Sequence, residues 1–239
     1  MKNSNHKILF TILSILLFSS TSDAHAVVYE HTWNGAVNAT TDYFLLGIKH
    51  ILPLGIDHVI FIVGLFLSNR RLKSVLLLAT AFTVAHTITL ILSALNYLPA
   101  NPDIIEPIIG VSIAAIGLEN IIRKDNARVS YLLVFLFGLV HGCGFATALA
   151  DSGIPENYFY STLISFNIGI EVAQVSLILF CFLIFRLWKN EQTYRRLVVI
   201  PLSVVIMIVG MSFAIQRVVE KPSDATAVAA ISLSTLNNR

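Results

Sequence analysis

The feature that most constrains this chain is a succession of apolar segments, each about long enough to cross a lipid bilayer. A spanning helix needs about 20 predominantly apolar residues, and six such runs follow one another between Tyr43 and Arg217. Only 13% of the 239 residues are charged, against about 25% in an ordinary soluble domain. We therefore predict an all-α, polytopic membrane helix bundle of about six transmembrane helices. The predicted spans are Tyr43–Leu67, Ser74–Leu95, Ile104–Ile122, Ser130–Ala150, Ser161–Leu187 and Leu197–Arg217.

Basic residues are distributed unevenly among the predicted connections. Residues 68–73, 123–129 and 188–196 are rich in Lys and Arg, whereas 96–103 and 151–160 contain neither. Because cytoplasmic loops carry the excess of Lys and Arg, this asymmetry predicts that both ends of the bundle lie outside. We expect a multi-pass protein of the bacterial inner membrane. The net charge of +2 gives no indication of a nucleic-acid partner.

The N-terminus has the pattern of a secretory signal. Basic residues precede the apolar run Ile8–Phe18, and an A-x-A site follows at Ala24–Ala26. We predict cleavage after Ala26; an uncleaved anchor is the alternative, and it also leaves Val27 outside. The predicted organisation is a signal peptide at 1–26, a short periplasmic segment at 27–42, a transmembrane domain at 43–217 and a disordered tail at 218–239.

Ionisable residues occur inside several of these apolar spans, where they are costly and normally mark an ion or proton pathway. Each span is delimited separately, and the ionisable residues of the different spans still fall at about the same depth in the membrane. In a continuous helix His50 and Asp57 would lie about 20° apart around the axis. Pro53 and Gly55 lie between them and would weaken that helix. The candidate metal ligands are His50, Asp57, His58, His86, His141 and Glu171.

Further polar residues support these candidates. On the fifth span Asn167, Glu171 and Gln174 have i, i+4, i+7 spacing and form one polar stripe. On the second span Thr83 belongs to a similar stripe with Thr80, His86 and Thr87. Glu119, near the cytoplasmic end of the third span, is more typical of a helix-end group. Glycines surround His141 and allow a close helix approach, as small residues do in membranes; they are Gly138, Gly142 and Gly144.

The charges of Asp57 and Glu171 need to be balanced, because no Lys or Arg lies near the middle of any predicted span. Protonation, pairing with an imidazolium and a bound metal cation would each satisfy them, and the first two suit a purely structural polar core. The three imidazoles at mid-depth, those of His58, His86 and His141, form with these two carboxylates a nitrogen and oxygen ligand set for divalent Ni, Co, Zn, Fe or Mn. Few Met and two scattered Cys argue against Cu(I).

Four ordered blocks lie between Tyr43 and Leu187: His50–Phe61, Thr80–Leu90, Phe137–Ala146 and Phe166–Gln174. With these blocks the chain resembles the HupE/UreJ family of membrane proteins, in its second, longer branch. That resemblance implies nickel or cobalt uptake, with His50, Asp57 and His58 of the first block implicated in transport. The better-studied branch continues its later histidine block with a second His and a Glu, whereas Cys143-Gly144-Phe145 follows here.

The residues and the resemblance together favour a permease for a divalent transition-metal ion, with Ni, Co or Zn as the bound ion. One alternative is an intramembrane metal-dependent hydrolase, in which three histidines activate water on a lipid-like substrate. Another alternative is a membrane accessory or scaffold protein. The expected partners are the metal ion and the lipid bilayer, and a homo-oligomer is compatible with the sequence.

Overall fold

The computed structural model describes residues 36–98, 101–122, 131–151, 156–185, 188 and 190–219, and no strand lies within them. The all-helical prediction is confirmed. A 3₁₀ turn at Glu156–Tyr158 precedes the sixth helix, and a π-helical turn at Arg195–Val199 joins the last two. The helices are α1 Ala36–Ile51, α2 Ile56–Ser68, α3 Leu72–Ala94, α4 Pro102–Ile122, α5 Tyr131–Asp151, α6 Phe159–Phe185, α7 Glu191–Tyr194 and α8 Ile200–Val219.

Four helical stretches in the described part of the chain are long and apolar enough to cross a membrane. They are α3, α4, α6 and the continuous stretch Glu191–Val219. The bent pair Asn38–Ile51 and Ile56–Ser68 makes five if it is one span, and the apolar stretch Tyr131–Phe145 of α5 is shorter. The count of six, and the orientation, stay predictions.

The first predicted span is not one continuous helix. Its two halves, α1 and α2, meet at 67°, so the 20° relation expected between His50 and Asp57 is wrong. The break contains Pro53, after a cis Leu52–Pro53 bond, and Gly55, the two residues expected to weaken the helix. A Cβ at Gly55 would overlap the carbonyl oxygen of His50, so only glycine lets the chain turn this tightly. His50 therefore lies in the last turn of α1 and His58 in the first turn of α2.

Helix α2 forms the centre of the bundle. Ten of its residues are buried, and it contacts α3, α4, α6 and α8. Around it the long helices pack in three extensive pairs, α1 with α6, α3 with α5, and α4 with α8. Large apolar side chains such as Leu132, Ile164 and Phe180 remain exposed on the outside. This arrangement is that of a bundle in lipid, where the outer surface is as apolar as the core.

Glycines set the distance between paired helices. Gly142 of α5 lies against the His86 carbonyl oxygen and the Thr89 hydroxyl of α3, and Gly138 lies against the backbone of Phe82. The close approach predicted around His141 is confirmed for these two glycines. Gly144 instead faces side chains of α4.

The predicted signal peptide at 1–26 and residues 220–239 of the predicted tail lie outside the described residues. Of the predicted periplasmic segment, residues 36–42 are helical, because α1 begins at Ala36 rather than at Tyr43.

Candidate metal site

Three buried imidazoles from three helices converge at the break between α1 and α2. His50, His58 and His86 each offer a ring nitrogen, and these atoms lie within 4.8 Å of one another. The His50 and His58 ring centroids are 4.5 Å apart, and those of His50 and His86 are 6.1 Å apart. All three residues are at most 3% exposed. Such a group suits a divalent transition metal, which is commonly bound by imidazole nitrogen.

Asp57 orients one of these rings. Its Oδ1 accepts hydrogen bonds from the His58 backbone N–H, at 2.9 Å, and from His58 Nδ1, at 3.0 Å. A neutral imidazole that donates through Nδ1 keeps its lone pair on Nε2. That Nε2 is buried and has no hydrogen-bond partner in the described part of the chain. A carboxylate behind a ligating histidine is the usual support of a metal site.

A hydrogen bond from Nδ1 also orients the ring of His141, which lies beside the three-histidine group. Its Nδ1 donates to the Phe137 carbonyl oxygen at 2.8 Å, one turn back along α5. Its Nε2 is buried without a hydrogen-bond partner among the described residues. The His141 and His58 ring centroids lie 5.3 Å apart. His141 is thus a neighbour of the three-histidine group and a candidate fourth nitrogen ligand.

An aromatic shell surrounds the histidines. The Phe145 ring lies 4.2 Å from the His50 ring and stacks on Phe166 at 4.9 Å. The Phe82 ring lies 5.0 Å from that of His141 and is stacked with that of His86 at 6.2 Å. These rings exclude water from the group, which strengthens electrostatic interactions inside it.

Asp57 has a cationic partner, contrary to the expectation from the sequence. Arg217 of α8 places Nη2 3.6 Å from Asp57 Oδ2, although Asp57 is fully buried. The prediction was wrong because it considered only basic residues near the middle of spans. Asp57 lies in the first turn of α2, and a long Arg side chain reaches it from the end of α8.

Glu171 lies on a separate polar stripe between α3 and α6. Thr80 donates to Glu171 Oε1 at 2.6 Å, and within the described residues no ion pair involves this carboxylate. The predicted stripes of the two helices face each other, because Thr87 donates to Asn167 at 2.7 Å and Thr83 donates to Gln174 at 3.2 Å. Asn167 also lies beside the His86 ring. The stripe therefore adjoins the cluster, while Glu171 is not a member of the three-histidine group.

The predicted residues thus have different places. The three-histidine group consists of His50, His58 and His86. Beside it lie His141 and Asp57, which both contact His58. The polar stripe between α3 and α6 contains Glu171, Asn167, Gln174 and Thr83. Glu119 is half-buried in the last turn of α4 and is not a member of the three-histidine group. Sequence reasoning missed the aromatic shell, although its phenylalanines lie in three of the four motif blocks. It also missed Arg217, for which the only signal was a basic residue ending the last apolar run.

A family model described as HupE / UreJ protein matches residues 24–217, more than half of the chain. Neither a curated protein nor a solved structure gives a match.

Proposed function

This chain belongs to the HupE/UreJ family, and on that premise we propose that it is a membrane permease for a divalent transition-metal ion. Nickel and cobalt are the favoured ions, because the family is associated with the uptake of these two metals. The observation that carries the proposal is the buried His50, His58 and His86 group, whose nitrogens lie within 4.8 Å of one another. Imidazole nitrogen binds Ni, Co and Zn well. The ligand set therefore supports a divalent transition metal as the transported ion and does not distinguish among these three metals.

The break between α1 and α2 suits a site that both receives and releases an ion. Irregular backbone at membrane depth is tolerated where it faces protein or a cavity, and broken helices recur at the ion sites of transporters. His50 lies in the last turn of α1, the end of a helix that favours a cation. A completely saturated ligand set would retain the ion, so transport requires a site that rearranges.

The polar stripe supplies the next part of the proposed path. It continues from Asn167, beside His86, to Glu171 and Thr80. Glu171 would offer the ion an oxygen ligand after the nitrogen ligands, a weaker donor for Ni and Co that favours release. The sequence contains no nucleotide-binding loop, so movement would follow the ion gradient or the membrane potential, worth about 2.3 kcal/mol per charge per 100 mV.

The proposed setting follows from the sequence. We assign the protein to the bacterial inner membrane, with a signal peptide at 1–26, a periplasmic segment at 27–42, a transmembrane domain at 43–217 and a tail at 218–239. The ion would enter on the periplasmic side, which carries the loops without Lys or Arg.

Purified full-length protein in liposomes tests the proposal. We expect saturable uptake of Ni²⁺ or Co²⁺ that increases with an inside-negative potential, and we expect His86→Ala to abolish it. Leu132→Ala, on the exposed side of α5, is the matched control. Absence of flux for Ni²⁺, Co²⁺ and Zn²⁺ would contradict the permease.

The second candidate is an intramembrane metal-dependent hydrolase. Three buried histidines beside a carboxylate, Asp57, match the ligand set of a catalytic metal with an open position. That reading predicts a stoichiometric metal retained through purification together with no flux, so the same preparation distinguishes the two functions.

A further inference from the structure

The guanidinium of Arg217 lies between two carboxylates of different exposure. Its Nη2 is 3.6 Å from Asp57 Oδ2, and its Nε is 3.5 Å from Glu106 Oε2. Its Nη1 also donates to the Glu106 carbonyl oxygen at 3.3 Å. Asp57 is fully buried, whereas the Glu106 side chain is 27% exposed and that of Arg217 is 22% exposed. The guanidinium of Arg217 thus bridges a carboxylate buried inside the bundle and a carboxylate that is partly exposed at its surface.

The Asp57 carboxylate is shared between the histidine group and Arg217. Its Oδ1 holds His58, and its Oδ2 faces the guanidinium. A divalent cation on the imidazoles would lie close to this carboxylate and to the positive charge of Arg217. Attraction to Asp57 would favour the incoming ion, while repulsion from Arg217 would oppose it. The two cations therefore compete for one buried anion.

Arg217 has a second set of acceptors to which it can move. Glu106 already receives Nε and Nη1, and the Phe213 ring lies 5.6 Å from the guanidinium carbon. Because a guanidinium offers five donors in a rigid fork, it can give up Asp57 and remain bound to Glu106. Leaving Asp57 therefore does not leave this charge unpaired in an apolar setting.

We propose that Arg217 is a tethered counter-cation of the metal site, which neutralises Asp57 in the empty state, shifts to Glu106 when a divalent ion binds, and returns when that ion leaves. This inference rests on the proposed function and assigns a specificity-determining and release-promoting residue to it. An entering ion must replace a full positive charge at Asp57, which favours divalent over monovalent cations. The returning guanidinium then weakens the hold on the departing ion.

Equilibrium binding of Ni²⁺ to the purified full chain in detergent tests the inference independently of transport. Arg217→Gln should bind Ni²⁺ about tenfold more tightly, the size of effect expected when one close charge is removed. A merely structural Arg217 would give the opposite sign, because its loss would disturb the site. The matched control is Arg195→Gln. Arg195 also donates to a carbonyl of α4, Ile121 at 3.2 Å, at the other end of that helix, and its replacement should leave the affinity unchanged.

Glu106→Gln tests the competition from the other side and leaves Arg217 in place. With Glu106 neutral, the guanidinium should stay on Asp57 and Ni²⁺ should bind several-fold more weakly. Asp103→Asn removes the same charge from the exposed first turn of the same helix, α4, and should have no such effect. In an Arg217→Gln background Glu106→Gln should lose its effect, since there is no longer a cation to redirect.

The outcomes separate the two proposals. If the unmodified protein binds Ni²⁺ and Arg217→Gln binds it equally or more weakly, the counter-cation is refuted and the permease stands. If Arg217→Gln does not fold, an affinity of Glu106→Gln equal to that of the unmodified protein refutes it instead. If the unmodified protein binds none of Ni²⁺, Co²⁺ and Zn²⁺, the proposed function itself fails.

Discussion

His58 and His141 differ in what holds their rings, and this difference separates their strengths as ligands. His58 Nδ1 donates to a carboxylate, whereas His141 Nδ1 donates to a neutral carbonyl of its own helix. An anionic partner raises the basicity of the opposite nitrogen and strengthens metal binding. His58 also belongs to the converging group, while His141 lies beside it.

We therefore expect His58→Ala to lower the affinity for Ni²⁺ by at least about tenfold, as loss of a supported ligand does, and His141→Ala to have a smaller effect. Equilibrium dialysis of each purified variant measures both affinities. His31→Ala, at a histidine outside the predicted site, is the control and should match the unmodified protein. A larger loss for His141→Ala than for His58→Ala would overturn this ranking of the ligands.

At the scale of elements, the site depends on two arrangements of helices. The break after α1 places a helix C-terminus with His50 against a helix N-terminus with Asp57 and His58. These ends favour a cation and an anion, respectively. The pairing of α3 with α5 then sets how closely His86 and His141 approach the break, and that pairing depends on Gly142.

Gly142→Ala should destabilise the protein, because its Cβ would overlap the His86 carbonyl oxygen and the Thr89 hydroxyl. Overpacking of this kind costs about 1–3 kcal/mol. Gly144→Ala is the matched control on the same helix. Its Cβ would come 2.9 Å from Ile109 Cδ1, the end of a flexible side chain that can move. Thermal unfolding in detergent measures both variants, and equal melting temperatures would contradict the assigned role of Gly142.

At the scale of the whole molecule, a buried central helix lies inside three helix pairs whose outer surfaces are apolar. α2 carries Asp57 and His58 at its first turn, so the polar residues of the site are enclosed by neighbours rather than by lipid. Arg217 and Glu106 contact each other where α8 ends and α4 begins. The path proposed for the ion therefore runs from this end of the bundle, past the histidines, to the polar stripe.

The proposed orientation places that end outside, and topology reporters test it. Alkaline phosphatase, which folds into an active enzyme only outside the cytoplasm, should be active when fused after Arg239 and inactive when fused after Lys189. The reason is the excess of Lys and Arg in the connection at 188–196. A fusion after Asn101 should be active and serves as the second external point. The reverse pattern would invert the proposed direction of transport.

The sequence by itself determined the class of fold and identified most of the polar residues that the structure places in or beside the three-histidine group. Spanning runs of apolar residues leave few alternatives to helices, because backbone groups in lipid must be satisfied within the segment. His50, His58 and His86 were found because ionisable groups in such runs are costly and therefore conspicuous. Helical spacing also predicted the stripe of Asn167 and Gln174, since that spacing is local.

Only the tertiary structure decided how these groups are combined. The bend after His50 brings it to His58 by turning the chain, which no helical periodicity describes. The packing of α6 against α3 pairs Glu171 with Thr80, and Glu171 is not a member of the three-histidine group. Arg217 reaches Asp57 from a helix distant in sequence. The contact of His50 with His58 depends on the direction in which the chain turns between two consecutive helices, and the other two contacts join elements far apart in the chain. Local sequence patterns carry the period of one element but not its direction or its distance relative to another.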